Sequence, residues 1–195
     1  MRIIVLGGFL GSGKTTILMR IANTFIGKGR KVAVLVNDVG EIGVDGKTLA
    51  AEGYNTTELP DGCVCCSLKS ELQIAVRNVA RDLNPDIMLI EPTGLALPHK
   101  VKELVRISMI EEDSDVIIGI CDIQRFRDLI KKKEEFFSRQ MQGSEFILIN
   151  KADVAQPGEI EEATKWLSER FPDKPIIPVS VKDGTNLEKV YELIK

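Results

Sequence analysis

The stretch Arg2–Leu18, "RIIVLGGFLGSGKTTIL", decides the fold. Its first half is a short, unbroken apolar run of β-branched and aliphatic residues, which suits a strand buried on both faces of a parallel sheet. Its second half contains "GFLGSGKT", Gly8–Thr15, which matches the pattern G-x-x-x-x-G-K-[ST] directly after the predicted strand and at the opening of a predicted helix. Gly8, Gly11 and Gly13 let the backbone curl so that successive N–H groups point inward at phosphates, and the helix N-terminus adds partial positive charge. Lys14 is expected to reach the β- and γ-phosphates, and the Thr15 hydroxyl to coordinate Mg2+. Gly11, Ser12, Gly13 and Thr16 complete the expected phosphate-binding set.

Outward from that stretch, similar runs recur at "KVAVLVN" from Lys31, "DIMLIE" from Asp86, "DVIIGICD" from Asp115, "EFILINKAD" from Glu145 and "PIIPVS" from Pro175. Each reads as a buried strand of four to seven residues. Helical patterns lie between them at roughly 14–27, 67–83, 98–107, 123–141, 157–171 and 185–195, with Leu68, Leu72, Val76 and Val79 at helical spacing in the second. Strand–helix alternation from end to end predicts an α/β fold, a three-layer P-loop NTPase sandwich with a mainly parallel central sheet. A helix between the second and third strands favours parallel pairing there. No repeat, low-complexity tract or linker divides the chain, so 1–195 is expected to be one domain. Ligands of such sheets bind beyond the carboxyl ends of the strands. Here those ends read "GGFLGSGKTT", "NDVGEIG", "EPTG", "NKAD" and "SVKDG".

Composition narrows the function. At 195 residues the chain can bury a core without disulfides, and its 44% hydrophobic and 28% charged content is ordinary for a globular protein. Aromatic residues make up 5%, the net charge is −3 and the pI is near 5.4, which argues against a nucleic-acid partner. No apolar run approaches a membrane span and the N-terminus lacks a secretory pattern, so a cytoplasmic setting is expected. There, clustered cysteines are more often metal ligands or redox groups than disulfides.

"NKAD", Asn150–Asp153, follows a predicted strand. The Asp153 carboxylate can accept from both the ring N1–H and the exocyclic amine of guanine, whereas adenine offers neither donor there. Asn150 would brace the loop, the Lys151 stem would lie along the ring, and N–H groups of Ser180, Val181 and Lys182 could meet the guanine O6. "LIEPTG" puts Glu91 at a strand end, where it could hold a Mg2+-bound water or orient the attacking water; the Gly94 N–H could sense the γ-phosphate. The acidic, glycine-rich loop 37–46 reads either as a segment ordered by nucleotide and metal or as a plain long surface loop. Arg125, Arg127 and Arg139 read as helix arginines, so no arginine finger is identifiable, and "EEDSD" and "KKKEE" read as solvated charge.

Three of the 4 cysteines, Cys63, Cys65 and Cys66, fall within four positions. Such thiolates suit Zn2+, Co2+ or Cu+. A closed zinc site wants four ligands, and Cys121 lies within a predicted core strand, so an open or shared site is expected, with Glu41 and Asp38 as candidate completers. A redox dithiol is the alternative.

The segments "GFLGSGKTT", "VNDVGEIGVDG", "ELPDGCVCCSL", "EPTGLALP" and "INKAD", in that order, closely resemble the CobW-type family of metal-homeostasis GTPases, relatives of the hydrogenase- and urease-maturation GTPases. The resemblance implies parallel pairing of the P-loop and Glu91 strands. It also implies a transition metal, Zn2+ or Co2+ foremost, on Cys63, Cys65 and Cys66 near the nucleotide, and delivery of metal to, or activation of, a client metalloenzyme or cofactor-assembly protein. Most members carry a further C-terminal domain and many a histidine-rich stretch. This chain is read as the G domain alone, with a partner or homodimer in place of the former, and it has 1 histidine, His99, read as a surface residue in a loop. Asp38 and Val39 stand where the family usually has glutamate and phenylalanine. The expected activity is slow hydrolysis of GTP to GDP and phosphate, on the order of 10⁻⁴ to 10⁻² s⁻¹. The rivals are a GTP-dependent adaptor that docks without carrying metal, an ATP-dependent iron–sulfur carrier, and a nucleotide or small-molecule kinase.

Overall fold

The structure, a computed structural model, describes residues 1–36, 55–58, 67–108, 110 and 112–195. Strands β1 (Arg2–Gly8), β2 (Val32–Val36), β3 (Asn55–Glu58), β4 (Ile87–Glu91), β5 (Ser114–Asp122), β6 (Phe146–Asn150) and β7 (Ile176–Pro178) form one sheet in the order β3-β2-β4-β1-β5-β6-β7. Every pairing among the described residues is parallel. Among the described residues the helices are α1 (Lys14–Gly27), α2 (Ser67–Leu83), α3 (Pro98–Ile107), α4 (Phe126–Gln142), α5 (Glu159–Arg170) and α6 (Leu187–Leu193).

The continuous apolar runs have a simple cause. Successive residues of a strand point to opposite faces, and both faces are covered. Ile4 and Leu6 of β1 join Ile17, Leu18 and Ile21 of α1 and Leu187 and Val190 of α6 on one side. Ile3 and Val5 join Val76 and Val79 of α2 and Val101 and Val105 of α3 on the other. Farther along the sheet, Ile147 and Ile149 of β6 meet Phe137 and Met141 of α4 and Ala163 and Leu167 of α5. β1 is flanked by β4 and β5, in register Val5 to Ile90 and Val5 to Ile117. The P-loop strand and the Glu91 strand are therefore parallel neighbours, as the resemblance implies.

Several details differ from the sequence reading. The sheet has a seventh strand, β3, whose sequence "NTTE" carries no apolar run; it forms an edge of the sheet, beside β2. β5 extends to nine residues. The fourth helical segment opens with a separate 3-10 turn, Ile123–Arg125, because Asp122 caps it by accepting the Gln124 N–H at 3.0 Å. His99 is in the first turn of α3 and half-buried, not in a loop, since Pro98 at the helix start presets helical geometry. "EEDSD" is only partly solvated: Asp115 is largely buried and ion-pairs with Lys102 at 2.7 Å and Arg106 at 2.8 Å. "KKKEE", residues 131–135, is exposed throughout. Among the described residues no helix is long and apolar enough to cross a membrane.

Candidate functional site

The carboxyl ends of β1, β4, β6 and β7 bring four sequence signals to one edge of the sheet. β1 runs into the P-loop, whose Gly11 and Gly13 take the left-handed conformation with φ of 75° and 93°. These positions need glycine. α1 opens at Lys14 with no acidic residue of its own in the first turn, and its positive end faces the loop.

Lys14 and Glu91 are both almost fully buried. The Lys14 Nζ donates to the Phe9 carbonyl at 3.3 Å and stands 3.8 Å from the Glu91 carboxylate. The Thr15 hydroxyl donates to Glu91 Oε1 at 2.9 Å. A hydroxyl and a carboxylate beside a phosphate-binding loop form the hard oxygen set that Mg2+ prefers, so these residues fit that ion. Ser12 is buried and Thr16 exposed.

Gly94 lies against the P-loop itself. A Cβ at Gly94 would come within 2.6 Å of the Leu10 nitrogen and 3.2 Å of the Phe9 carbonyl carbon. The Gly94 carbonyl accepts from Gln140 Nε2 of α4 at 2.7 Å, and Gln140 is fully buried. Phe9 is anchored from the same helix, edge-on to Phe136 at 5.5 Å between ring centroids. Gln140 is a site residue that the sequence reading missed. Its signal was a polar residue on the buried stripe of an amphipathic helix, between Phe137 and Met141.

The Asn150–Asp153 motif is joined to the P-loop. Asn150 is buried, and its Nδ2 donates to the Ser12 carbonyl at 2.8 Å, against the open side of Gly13. Lys151, in the left-handed region at φ 65°, ion-pairs with the buried Asp122 at 2.7 Å. The Asp153 carboxylate accepts from the Ser180 hydroxyl at 2.9 Å and stands 4.0 Å from Lys182 Nζ. Ser180 and Lys182 are thus brought to Asp153, whereas the Val181 carbonyl accepts from Arg20 Nη2 at 3.2 Å. The Ser180 N–H itself is taken by the Thr185 carbonyl.

Arg125 also reaches this edge: its Nη1 donates to the Leu10 carbonyl of the P-loop at 2.7 Å. It is therefore not a plain helix arginine, whereas Arg127 pairs with Glu159 and Glu162 on the surface and Arg139 is exposed.

Asp38, Glu41, Cys63, Cys65 and Cys66 lie outside the described residues. Among the described residues no group of three or more His, Cys, Asp or Glu side chains is placed to share one ion. Cys121 is buried in β5, and burial, with the neighbouring Asp122 charge, pushes its thiol far above the ordinary range. It is a core side chain, as its strand position predicts.

Residues 2–178 match the family described as the CobW/HypB/UreG nucleotide-binding domain, and the chain belongs to that family. It is 34% identical over 172 residues to the zinc chaperone YeiR of Escherichia coli strain K12, covering 87% of this chain and 52% of that protein. The chain therefore spans about half the length of that curated relative. Among solved structures, the hydrogenase maturation factor HypB of Archaeoglobus fulgidus aligns at a TM-score of 0.75 and 19% identity, covering 99% of this chain and 88% of the other, a likeness of fold. The Zn(II)-bound YjiA GTPase from Escherichia coli aligns at 0.66 and 25% identity, covering 92% and 57%.

Proposed function

We propose that this CobW/HypB/UreG-family domain binds and slowly hydrolyses GTP, and couples the nucleotide state to a transition metal held by Cys63, Cys65 and Cys66 for delivery to, or activation of, a client metalloprotein. The observation that carries the nucleotide half is the bond from Asn150 to the Ser12 carbonyl, which makes the guanine-reading motif and the phosphate loop one mechanical unit. The metal half is supported by Cys-x-Cys-Cys in a P-loop chain, and by likeness to the zinc chaperone YeiR and the Zn(II)-bound YjiA GTPase.

The roles follow from chemistry. The N–H groups of Gly11 and Gly13 and the first turn of α1 bind the phosphates, while the Ser12 N–H is held inside the loop by the Phe9 carbonyl at 3.1 Å, and Lys14 crosses to the β,γ side. Asp153, steadied by Ser180, accepts from the guanine edge, with Lys151 beside the ring. Gly94, packed on Leu10, presents its N–H where a γ-phosphate ends. Thr15 and Glu91 would hold Mg2+, which when bound neutralises charge on the β- and γ-phosphate oxygens. Glu91 also orients Thr15 and draws the Lys14 ammonium to one side of the pocket. Loss of the γ-phosphate removes the contact to Gly94 and releases loop 37–46 and the cysteine segment that follows it, with Asp38 or Glu41 completing the metal site. By linkage, metal tightens GTP by the same factor that GTP tightens metal.

The test is Zn2+ and Co2+ affinity with GTP·Mg2+, with GDP·Mg2+ and without nucleotide, beside a Cys65→Ala variant. Metal binding that requires both GTP and Cys65 is the expected result. Equal metal affinity in all three states would leave a GTP-dependent adaptor and remove the metal coupling.

A further inference from the structure

We infer that Arg125 is a positioning residue of the phosphate site: it fixes the Leu10–Gly11 peptide so that the Gly11 N–H faces the phosphates. This rests on the nucleotide reading above and adds a residue to it. A trans peptide is planar, with its C=O and the following N–H pointing in opposite directions. A donor that grips the carbonyl from outside the loop therefore aims the next N–H inward. Asn150 does this to one peptide, gripping the Ser12 carbonyl at 2.8 Å and so aiming the Gly13 N–H. Arg125 does it to another, gripping the Leu10 carbonyl at 2.7 Å with its Nη1 lying 3.4 Å from where a Gly11 Cβ would stand.

The two braces enter from consecutive strand ends, Asn150 from the end of β6 and Arg125 from the turn that follows β5. The turn that carries Arg125 is held in place by Asp122, whose Oδ1 accepts the Gln124 N–H while its Oδ2 pairs with Lys151 at 2.7 Å. Inside the loop, the Phe9 carbonyl is taken by Lys14 and by the Ser12 N–H. Left alone, the Leu10–Gly11 peptide can flip, because glycine tolerates either sense. The guanidinium removes that freedom and brings a positive charge to the loop, both of which favour bound phosphate.

The experiment compares wild type with Arg125→Ala, Arg125→Lys and Arg127→Ala. It measures GDP and non-hydrolysable GTP affinities by calorimetry, kcat at saturating GTP, and thermal unfolding without nucleotide. Arg125→Ala should lose about tenfold in affinity for both nucleotides, as one charge-assisted bond at a solvent-facing site, with kcat and unfolding temperature unchanged. Arg125→Lys should recover most of the loss, since one donor serves one carbonyl, and Arg127→Ala should bind like wild type. Unaltered affinity in Arg125→Ala overturns the inference. So does an equal loss in Arg127→Ala, which would mean net charge alone, or a fall in kcat at constant affinity, which would make Arg125 a transition-state group. A wild type that binds neither nucleotide overturns the functional reading as well, and so is distinguishable from these.

Discussion

Replacing Gly94 by alanine tests whether the segment after Glu91 reads the γ-phosphate by leaning on the P-loop. The new Cβ would stand 2.6 Å from the Leu10 nitrogen, 3.1 Å from the Leu10 Cα and 3.2 Å from the Phe9 carbonyl carbon. Ordinary contact begins near 3.4 Å, so the two backbones must part by about 0.8 Å. Neither yields easily. The Gly94 carbonyl is held by buried Gln140 at 2.7 Å, and the P-loop is held through the Arg125 bond and the Phe9–Phe136 contact. Overpacking of this kind costs about 1–3 kcal/mol. For a domain of this size each kcal/mol lowers Tm by roughly 2–4 °C. The displacement moves the Gly94 N–H away from a γ-phosphate and leaves the guanine-reading residues in place. Calorimetric titration should therefore show GDP affinity within about threefold of wild type and GTP-analogue affinity down about tenfold or more. Equal losses for the two nucleotides would refute the γ-sensing role of Gly94, and an unchanged Tm would refute the close packing itself.

Asp153→Asn turns an acceptor toward guanine into a group that can donate, so GTP affinity should fall by about 10⁴-fold; xanthosine triphosphate, whose 2-oxygen accepts a hydrogen bond, should recover much of it in the same titration. Thr15→Val removes the hydroxyl that donates to Glu91, and should abolish the dependence of GTP hydrolysis on added Mg2+ together with most of the turnover, while nucleotide-free Tm changes little. Two charge changes have opposite signs. Burial, and then the neighbouring Asp115, raise the Glu112 carboxyl above its ordinary value, outweighing Arg106 and Lys102. Its ionised form therefore opposes folding at neutral pH: Glu112→Gln should raise Tm at pH 7 and not at pH 3, where the carboxyl is protonated folded or unfolded. Burial also works to raise the Asp115 carboxyl, but hydrogen bonds and charge from Lys102 and Arg106 prevail and hold it below its ordinary value. Asp115→Asn should thus lower Tm at neutral pH, with the deficit disappearing as pH falls through the depressed native value.

The divide between what was legible in the sequence and what was not follows the range of the interactions. β1, the P-loop and α1 could be read directly because apolar strand, glycine turn and helix start are local and contiguous. Six strands announced themselves because both faces of each are covered, which forces unbroken apolar runs. β3 did not, because its sequence, "NTTE", holds no apolar residue and only its pairing with β2 makes it a strand. Lys14, Thr15, Glu91, Asn150 and Asp153 belong to motifs whose spacing reflects what each would touch. Arg125 and Gln140 belong to none, because each acts on a backbone carbonyl 115 and 46 positions away, and any backbone offers the same carbonyl whatever its side chain. Yet both left traces: Arg125 sits three residues past a strand end of the kind that carries ligands, and Gln140 interrupts an apolar helix stripe. Reading such traces means asking which side chains hold the loop's peptides in orientation as well as which ones meet the ligand. In a loop whose donors are peptide N–H groups, those two questions concern the same bonds seen from opposite sides, so residues that never touch a nucleotide can set its affinity.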